Sequence, residues 1–525
     1  MSQHAIKAKS LGGTAVALTL AAIFAAAGAA PVQAQTTGLF AGGASFPSKV
    51  YRDIMNCYGN HDGSDLTFGL AAPPAICNSA TPYRSNVELH YVSVGSGRGL
   101  NSFVGHDPQA YNVGRVPDAT PVPSSSSFGP FYGTGTGATW VPANSAGAGG
   151  WGNAIQVPTM VGAVGVGFKP TADGFTEKGK KPAGGNNASL ATSYSSLVDF
   201  STNTFCGIFT GVITDWSDAR IKADNGNVAL VPGVVDGNTH PIKILYRNDS
   251  SGTTFLFSNA FANQCNESLY HIPAQWQADV NAFAGHNPAD LGDNSFFIAI
   301  AAAGHLPANF IGAAGNLGVK NGVNNNAGSV GYMSTDFILP VDPTGPKAVN
   351  LQTYYSFHNG LAAAFRAPNS KNGTAIVGSA KPPVNKAASC PVGANLGQSP
   401  DGNCAHNPLN WGAKFPKPLT TSAYPLGGFT FIDSYTCYAN AADVNALVGT
   451  TAGSLGYLRW YFGSVSENSS LVKNALIANG FSLVPGSWMS GVKKLLTTDK
   501  ATKIAQAGVG TIKTNPSCFG QVGGA

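Results

Sequence analysis

Three short Gly/Ser/Thr clusters and one arginine are the residues of this chain whose types and spacing suit a chemistry. They read A-G-G-A-S-F-P (Ala41 to Pro47), V-G-S-G-R-G (Val94 to Gly99) and Y-R-N-D-S-S-G-T-T (Tyr246 to Thr254), with Arg247 inside the third. Each stands where a helical pattern begins. A helix N-terminus leaves backbone N–H groups unpaired and carries a partial positive charge, so it seats anions. Several such ends converging with an arginine fork would make a dry cage of donors around an oxyanion. A buried carboxylate in the cage would separate phosphate from sulfate. It accepts the proton that phosphate partly retains at neutral pH and repels an anion that has none.

The elements that must position these clusters are legible from periodicity. Pro47 fits the first helical position, and Val50, Ile54 and Tyr58 recur at helical spacing behind it. Val87, Leu89 and Tyr91 alternate with polar residues and predict a strand running into the second cluster. Residues 119–153 are rich in Pro, Ser and Gly and predict a long loop, and Val161 to Phe168 predict a buried strand. Ile242, Ile244 and Tyr246 alternate before Asp249-Ser250-Ser251-Gly252 opens a helix carrying Phe257 and Phe261, a strand–turn–helix unit that aims N–H groups at a ligand. Gly328 to Met333 predict a further strand, and Trp488, Val492 and Leu495 share a helical face that starts near Pro485. Alternating strands and helices predict an α/β fold.

The three clusters resemble the ligand motifs of the phosphate-binding proteins of bacterial ABC uptake systems. The chain is more closely similar to the DING branch of that superfamily, through F-C-G-I-F-T-G-V-I-T-D-W (Phe205 to Trp216), I-Q-V-P (Ile155 to Pro158), Y-P-L-G-G-F-T (Tyr424 to Thr430) and V-P-G-S-W (Val484 to Trp488). The resemblance runs from about residue 39 to the C-terminus. It implies phosphate ligands at Ser45, Phe46, Ser96, Arg247, Ser251, Gly252 and Thr253, with Asp249 orienting Arg247. Asp118, in Pro117-Asp118-Ala119-Thr120-Pro121, matches the family carboxylate best, and Asp107 is the alternative. Two positions depart from the family pattern. Ser45 stands where Thr is usual, which keeps a hydroxyl, and Pro117 stands where Ser is usual, which removes a donor.

The same resemblance implies an α/β, two-lobed periplasmic binding protein fold with a ligand cleft between the lobes. Residues 35–157 and 336–525 would form lobe one and 158–335 lobe two, with crossings near 156–166 and 328–336. It implies capture of inorganic phosphate, possession of an ABC permease as partner, and a monomer. The alternative it leaves open is a secreted DING-type alkaline phosphatase, a phosphomonoesterase. No H-E-x-x-H motif, His/Asp metal cluster or G-x-S-x-G elbow accompanies that alternative, so neither a cofactor nor a metal is expected.

Bulk properties agree with an exported chain. Of 525 residues only 10% are charged, against about 25% in typical domains, while 43% are hydrophobic, enough for buried cores. The net charge of +5 lacks the concentrated basic surface that nucleic-acid binding needs. His4, Lys7 and Lys9 precede an Ala-rich apolar run and Val32-Gln33-Ala34, which reads as a signal peptide over 1–34 cleaved before Gln35. No Cys follows that cleavage site, so no lipid anchor is expected, and the destination is the periplasm or the exterior. Eight cysteines without C-x-x-C spacing predict disulfides. Neighbour pairing is the simplest of many connectivities: Cys57–Cys77, Cys206–Cys265, Cys390–Cys404 and Cys437–Cys518. The last but one would pin a Pro/Asn/Gly-rich insertion at 367–415.

Overall fold

The computed structural model describes residues 37–60, 82–105, 126–129, 150, 152–172, 198–231, 239–284, 286, 290–384, 404–450, 454–464, 470–499, 502–511, 513–515 and 518–523. The expected signal peptide at 1–34 lies outside these residues, as do Asp107, Asp118, Cys77 and Cys390.

Strand β1 (Thr37–Gly43) ends in the first cluster, and helix α1 (Ser48–Tyr58) follows it. Pro47 caps that helix one residue earlier than expected, and its carbonyl accepts the Tyr51 N–H at 2.8 Å. A proline fits there because the N–H it lacks has no intrahelical acceptor at a helix start. Val50, Ile54 and Tyr58 are fully buried, but so is nearly all of α1, with Lys49 alone half-buried, so the periodicity marks the helix rather than one inward face. Strand β2 (Arg84–Ser93) runs parallel to β1, with Gly43 opposite Ser93, and leads into helix α2 (Ser96–Gly105).

Two strands differ from their sequence expectation. Within the stretch expected as loop, Ser126–Gly129 form strand β3, which pairs parallel with β1. Backbone pairing with β1 and β9 places these residues in the sheet, and S-S-F-G carries no alternation that would announce it. Strand β4 (Ala154–Phe168) begins seven residues before the apolar run suggested, and all fifteen of its residues are buried. Pro158 masked its first half. The sheet accommodates that proline at an irregularity of register, where Thr430 faces Met160, Phe431 faces Pro158, and Thr159 is left over.

Strand β5 (Lys243–Arg247) passes through the third cluster into helix α3 (Gly252–Cys265). Strand β6 (Phe310–Ala313) passes likewise into helix α4 (Gly315–Asn325), followed by strand β7 (Ser329–Ser334) and strand β8 (Lys347–Gln352). Strand β9 (Gly427–Tyr435), strand β10 (Phe481–Leu483) and helix α5 (Gly486–Thr497) come from the last hundred residues. On α5, Trp488, Val492 and Leu495 are buried as their spacing predicts.

The sheet order is β2-β1-β3-β9-β4-β7-β5-β6, with the short strand Gly59–Asn60 beyond β2. The long strand β4 changes partners along its length. Ala154 to Ala163 pair with β9, and Val164 to Phe168 pair with β7, both antiparallel. Strands β1 and β2 thus belong to one end of the order and β5 and β6 to the other. All four are parallel to a neighbour and deliver a helix at their carboxyl ends.

Helix α3 is held by an aromatic cluster rather than by one apolar stripe. Phe257 stacks on Tyr332 with ring centroids 4.1 Å apart, and Phe205, Phe209, Phe261 and Phe297 surround it. Such packing fixes where the helix N-terminus points. The Cys206–Cys265 disulfide ties the far end of α3 to the helix Thr202–Phe209, and Cys437–Cys518 closes a second loop, both as neighbour pairing anticipates. Cys57 and Cys404 are disulfide-bonded as well. The stretch 367–415 is not simply an outlying loop. Its described part includes the helix Ser370–Thr374 and buried Ile376, Val377 and Trp411, the last packed edge-on against Trp488. Among the described residues no helix is long and apolar enough to cross a membrane.

Candidate oxyanion site

Four strand–turn–helix joints meet in space. They are β1 to α1 with Ser45 and Phe46, β2 to α2 with Ser96, β5 to α3 with Arg247 to Thr253, and β6 to α4 with Gly315 and Asn316. In a flat sheet β1 and β5 would stand about 24 Å apart, five strand spacings of roughly 4.8 Å. Hydrogen bonds nevertheless join the two ends. The Gly252 N–H donates to Ser96 Oγ at 2.9 Å, and the Asn316 N–H donates to Ser45 Oγ at 3.3 Å. The sheet therefore brings its ends toward each other instead of lying flat.

Arg247 is the buried charge of the site, with only 1% of its side chain exposed. Its Nε donates to Asp249 Oδ1 at 2.6 Å, and its Nη2 donates to Asp249 Oδ2. Asp249 Oδ1 also accepts the Gly315 N–H at 2.9 Å. Burial alone would raise the Asp249 pKa, but the Arg247 charge and these hydrogen bonds outweigh it and hold the carboxyl below its ordinary value. The clamp leaves Nη1 facing Thr253 Oγ1 at 3.4 Å and Asn316 Oδ1 at 3.2 Å. The bidentate pair fixes the plane of the guanidinium, which a single contact would not.

The turn before α3 is capped by Ser251, whose Oγ accepts the N–H groups of Thr253 and Thr254 at 3.1 and 3.3 Å. Ser251 and Thr253 are buried, and Tyr332 supports the joint from beneath. The Tyr332 hydroxyl accepts the Arg247 N–H at 3.2 Å and lies 2.8 Å from Thr254 Oγ1. Glycine in the second cluster permits close approach as well as a turn. Gly95 has a φ of +91°, and a Cβ there would stand 3.1 Å from Asp249 Oδ2. A Cβ on Gly97 would strike Ser250 Oγ at 2.5 Å. The Gly97 N–H points at the Ser250 carbonyl at 3.4 Å.

Of the residues singled out in the sequence, Ser45, Arg247, Asp249 and Thr253 belong to one hydrogen-bonded network through Asn316, Ser96 bonds Gly252 at the adjoining helix start, and Ser251 caps that helix. Phe46 sits beside it. Its carbonyl accepts from Ser334 Oγ at 3.0 Å at the end of β7. Asp118 and its alternative Asp107 lie outside the described residues. Asn316, Tyr332 and Ser334 escaped the sequence reading. A signal for Asn316 existed: F-I-G-A-A-G-N at 310–316 is a fourth short strand ending in glycine and a polar residue at a helix start. Among the described residues no group of three or more His, Cys, Asp or Glu is placed to hold a metal ion.

The hydroxyls of Ser45, Ser96 and Ser251 each accept a backbone N–H and keep their own O–H to donate. Hydroxyl donors, helix N-termini and a clamped arginine together suit a small oxyanion and offer little to a cation.

Comparison with known proteins agrees with this chemistry. A family model described as a PBP superfamily domain matches residues 25–364, more than half of the chain. Alkaline phosphatase L of Pseudomonas aeruginosa (strain UCBPP-PA14) is 26% identical over 475 residues, covering 87% of this chain and 88% of that protein. A phosphate-binding protein from an unknown prokaryotic organism is 25% identical over 432 residues, covering 81% and 93%. Among solved structures, a phosphate-binding protein from Stenotrophomonas maltophilia superposes with a TM-score of 0.56 at 22% identity, covering 89% of this chain and 96% of that one. A DING protein superposes with a TM-score of 0.54 at 22% identity, covering 92% and 99%. The likeness to DING proteins drawn from the motifs thus extends to the fold.

Proposed function

This chain belongs to the PBP superfamily, with the two-lobed α/β binding-protein fold, and we propose that it captures inorganic phosphate between its lobes. The observation that carries the reading is the buried, doubly clamped Arg247 beside the hydroxyls of Ser45 and Ser96. In this reading Ser45, Phe46, Ser96, Arg247, Ser251, Gly252 and Thr253 hold the anion. Asp118 accepts its proton and disfavours sulfate. Lobe one comprises 35–157 and 336–525 and lobe two 158–335, with β4 and β7 as the crossing strands. The hydrogen bonds between Ser96 and Gly252 and between Ser45 and Asn316 then span the cleft, so an anion among them favours closure. Export to the periplasm or beyond, delivery to an ABC permease and a monomeric state complete the proposal.

Titration calorimetry tests it. Scavenging requires a dissociation constant of micromolar or tighter, about −8 kcal/mol. Saturable heat with phosphate and little with sulfate is the expected result, and no phosphate heat at neutral pH rejects the reading.

The second reading, phosphomonoester hydrolysis, is favoured by the similarity to alkaline phosphatase L. Donors that hold phosphate also stabilise the charge of a phosphoryl transition state. Turnover of p-nitrophenyl phosphate that disappears in an Arg247→Ala variant would establish it.

A further inference from the structure

Asn316 is fully buried at the first turn of α4, an eleven-residue helix. Two of its polar atoms are committed to opposite sides of the site. Its N–H donates to Ser45 Oγ, and its Oδ1 accepts from Arg247 Nη1. The third, the side-chain Nδ2, is buried without a hydrogen-bond partner. The bond from Arg247 assigns the amide orientation, because only the oxygen can face a guanidinium N–H. Two N–H donors are thereby left unpaired between Ser45 and Arg247. Burying such a group unpaired is costly, and most buried groups of this kind in folded proteins have a partner.

We infer that the Asn316 side-chain amide is a further donor to the oxyanion, entering its coordination from the α4 side. The inference rests on the phosphate reading above and adds a ligand to it that the sequence motifs do not mark. An amide does not titrate, so it donates equally to either protonation state of phosphate. It strengthens binding without taking part in the choice against sulfate. It also couples α4 to the anion, so that β6 and α4 follow the ligand on closure.

The test separates donation from mere positioning of Arg247. Phosphate is titrated calorimetrically into the full chain and into Asn316→Ala and Asn316→Asp variants, with melting curves to establish folding. Asn316→Asp retains an acceptor for Arg247 and removes the donors. A donating Asn316 predicts affinity lowered at least tenfold in Asn316→Ala. It predicts at least a hundredfold loss in Asn316→Asp, where a carboxylate faces the anion. Asn316→Ala should keep the wild-type ratio of phosphate to sulfate affinity, whereas the carboxylate of Asn316→Asp should turn against sulfate more strongly than against phosphate. A purely positioning residue predicts Asn316→Asp within threefold of wild type, and that result overturns the inference. Should either variant fail to fold, a crystal structure of the wild type grown with phosphate decides. Nδ2 within about 3.2 Å of a phosphate oxygen upholds the inference, and a greater separation overturns it. Absence of phosphate binding by the wild type removes the phosphate reading itself, and the inference with it.

Discussion

Ser96 Oγ accepts the Gly252 N–H at 2.9 Å, joining residues 156 positions apart and the two ends of the sheet order. The hydroxyl proton of Ser96 remains to be donated. One residue therefore both latches the α2 joint to the α3 joint and presents a donor where an anion would sit. The first prediction comes from that double role.

Ser96→Ala is expected to weaken phosphate binding roughly tenfold to hundredfold, since a hydrogen bond to a charged group contributes about 1.5–3 kcal/mol. Its effect on the melting temperature should be slight, because Ser96 is only half-buried and one neutral hydrogen bond is lost. Calorimetry beside thermal melting checks both halves. Full affinity in the variant would place the anion elsewhere.

Asp249→Asn should weaken both binding and stability. It removes the charge opposing a nearly inaccessible Arg247 while leaving an acceptor for the Gly315 N–H. Breaking a buried pair costs about 3–5 kcal/mol, and the 27% exposure of the Asp249 side chain puts the expected loss at or below the lower end. Urea denaturation measures it.

Asp336 gives a dependence on pH. It is buried two residues after Ser334, whose Oγ hydrogen-bonds its Oδ1, while its Oδ2 has no hydrogen bond. Burial lifts its pKa to about 7, against the opposing pull of the Lys49 charge. The folded state then binds the proton more tightly than the unfolded chain, whose carboxyl titrates near 4. Stability contributed by this group falls as pH rises from about 4 to 7 and is level above that. Asp336→Asn should remove that slope and be the more stable protein at pH 8. Denaturation of both proteins at pH 5 and pH 8 measures the difference between them, which excludes the other raised carboxyls, Asp53, Asp199, Asp224, Asp433 and Asp443.

Removing the Cys206–Cys265 bond by a double substitution to alanine should cost about 4 kcal/mol in the chain-entropy model, given the separation of 59 residues. The bond secures the end of α3 opposite the site, so phosphate affinity should change little in the folded variant. A large loss of affinity at unchanged stability would mean that it tunes the helix N-terminus directly.

Legibility in the sequence followed the range of the interactions. Val50, Ile54 and Tyr58 announced α1, and Asp249-Ser250-Ser251-Gly252 announced the start of α3, because helical spacing of apolar residues and capping act within a few residues. The first half of β4 was hidden by Pro158, whose tolerance depends on a register irregularity opposite Phe431, more than 250 residues away. β3 was hidden because its residues carry no pattern of their own and are held by backbone pairing. Asn316 carried the same strand–glycine–polar pattern as the three clusters, but nothing local says that its amide faces Arg247.

By itself the sequence determined the donors: serine hydroxyls, glycines at helix starts, an arginine two residues from its aspartate, and cysteines spaced for neighbour pairing. These are short-range properties, decided by covalent chemistry and by the turn each cluster must make. Tertiary structure alone decided that the donors meet. A sheet whose order places β1 and β5 five spacings apart nevertheless brings Ser45 and Ser96 against Asn316 and Gly252, with β4 paired to β9 along one stretch and to β7 along the next. Pairing between distant strands brings Ser45 against Asn316, which faces Arg247, and Ser96 against Gly252.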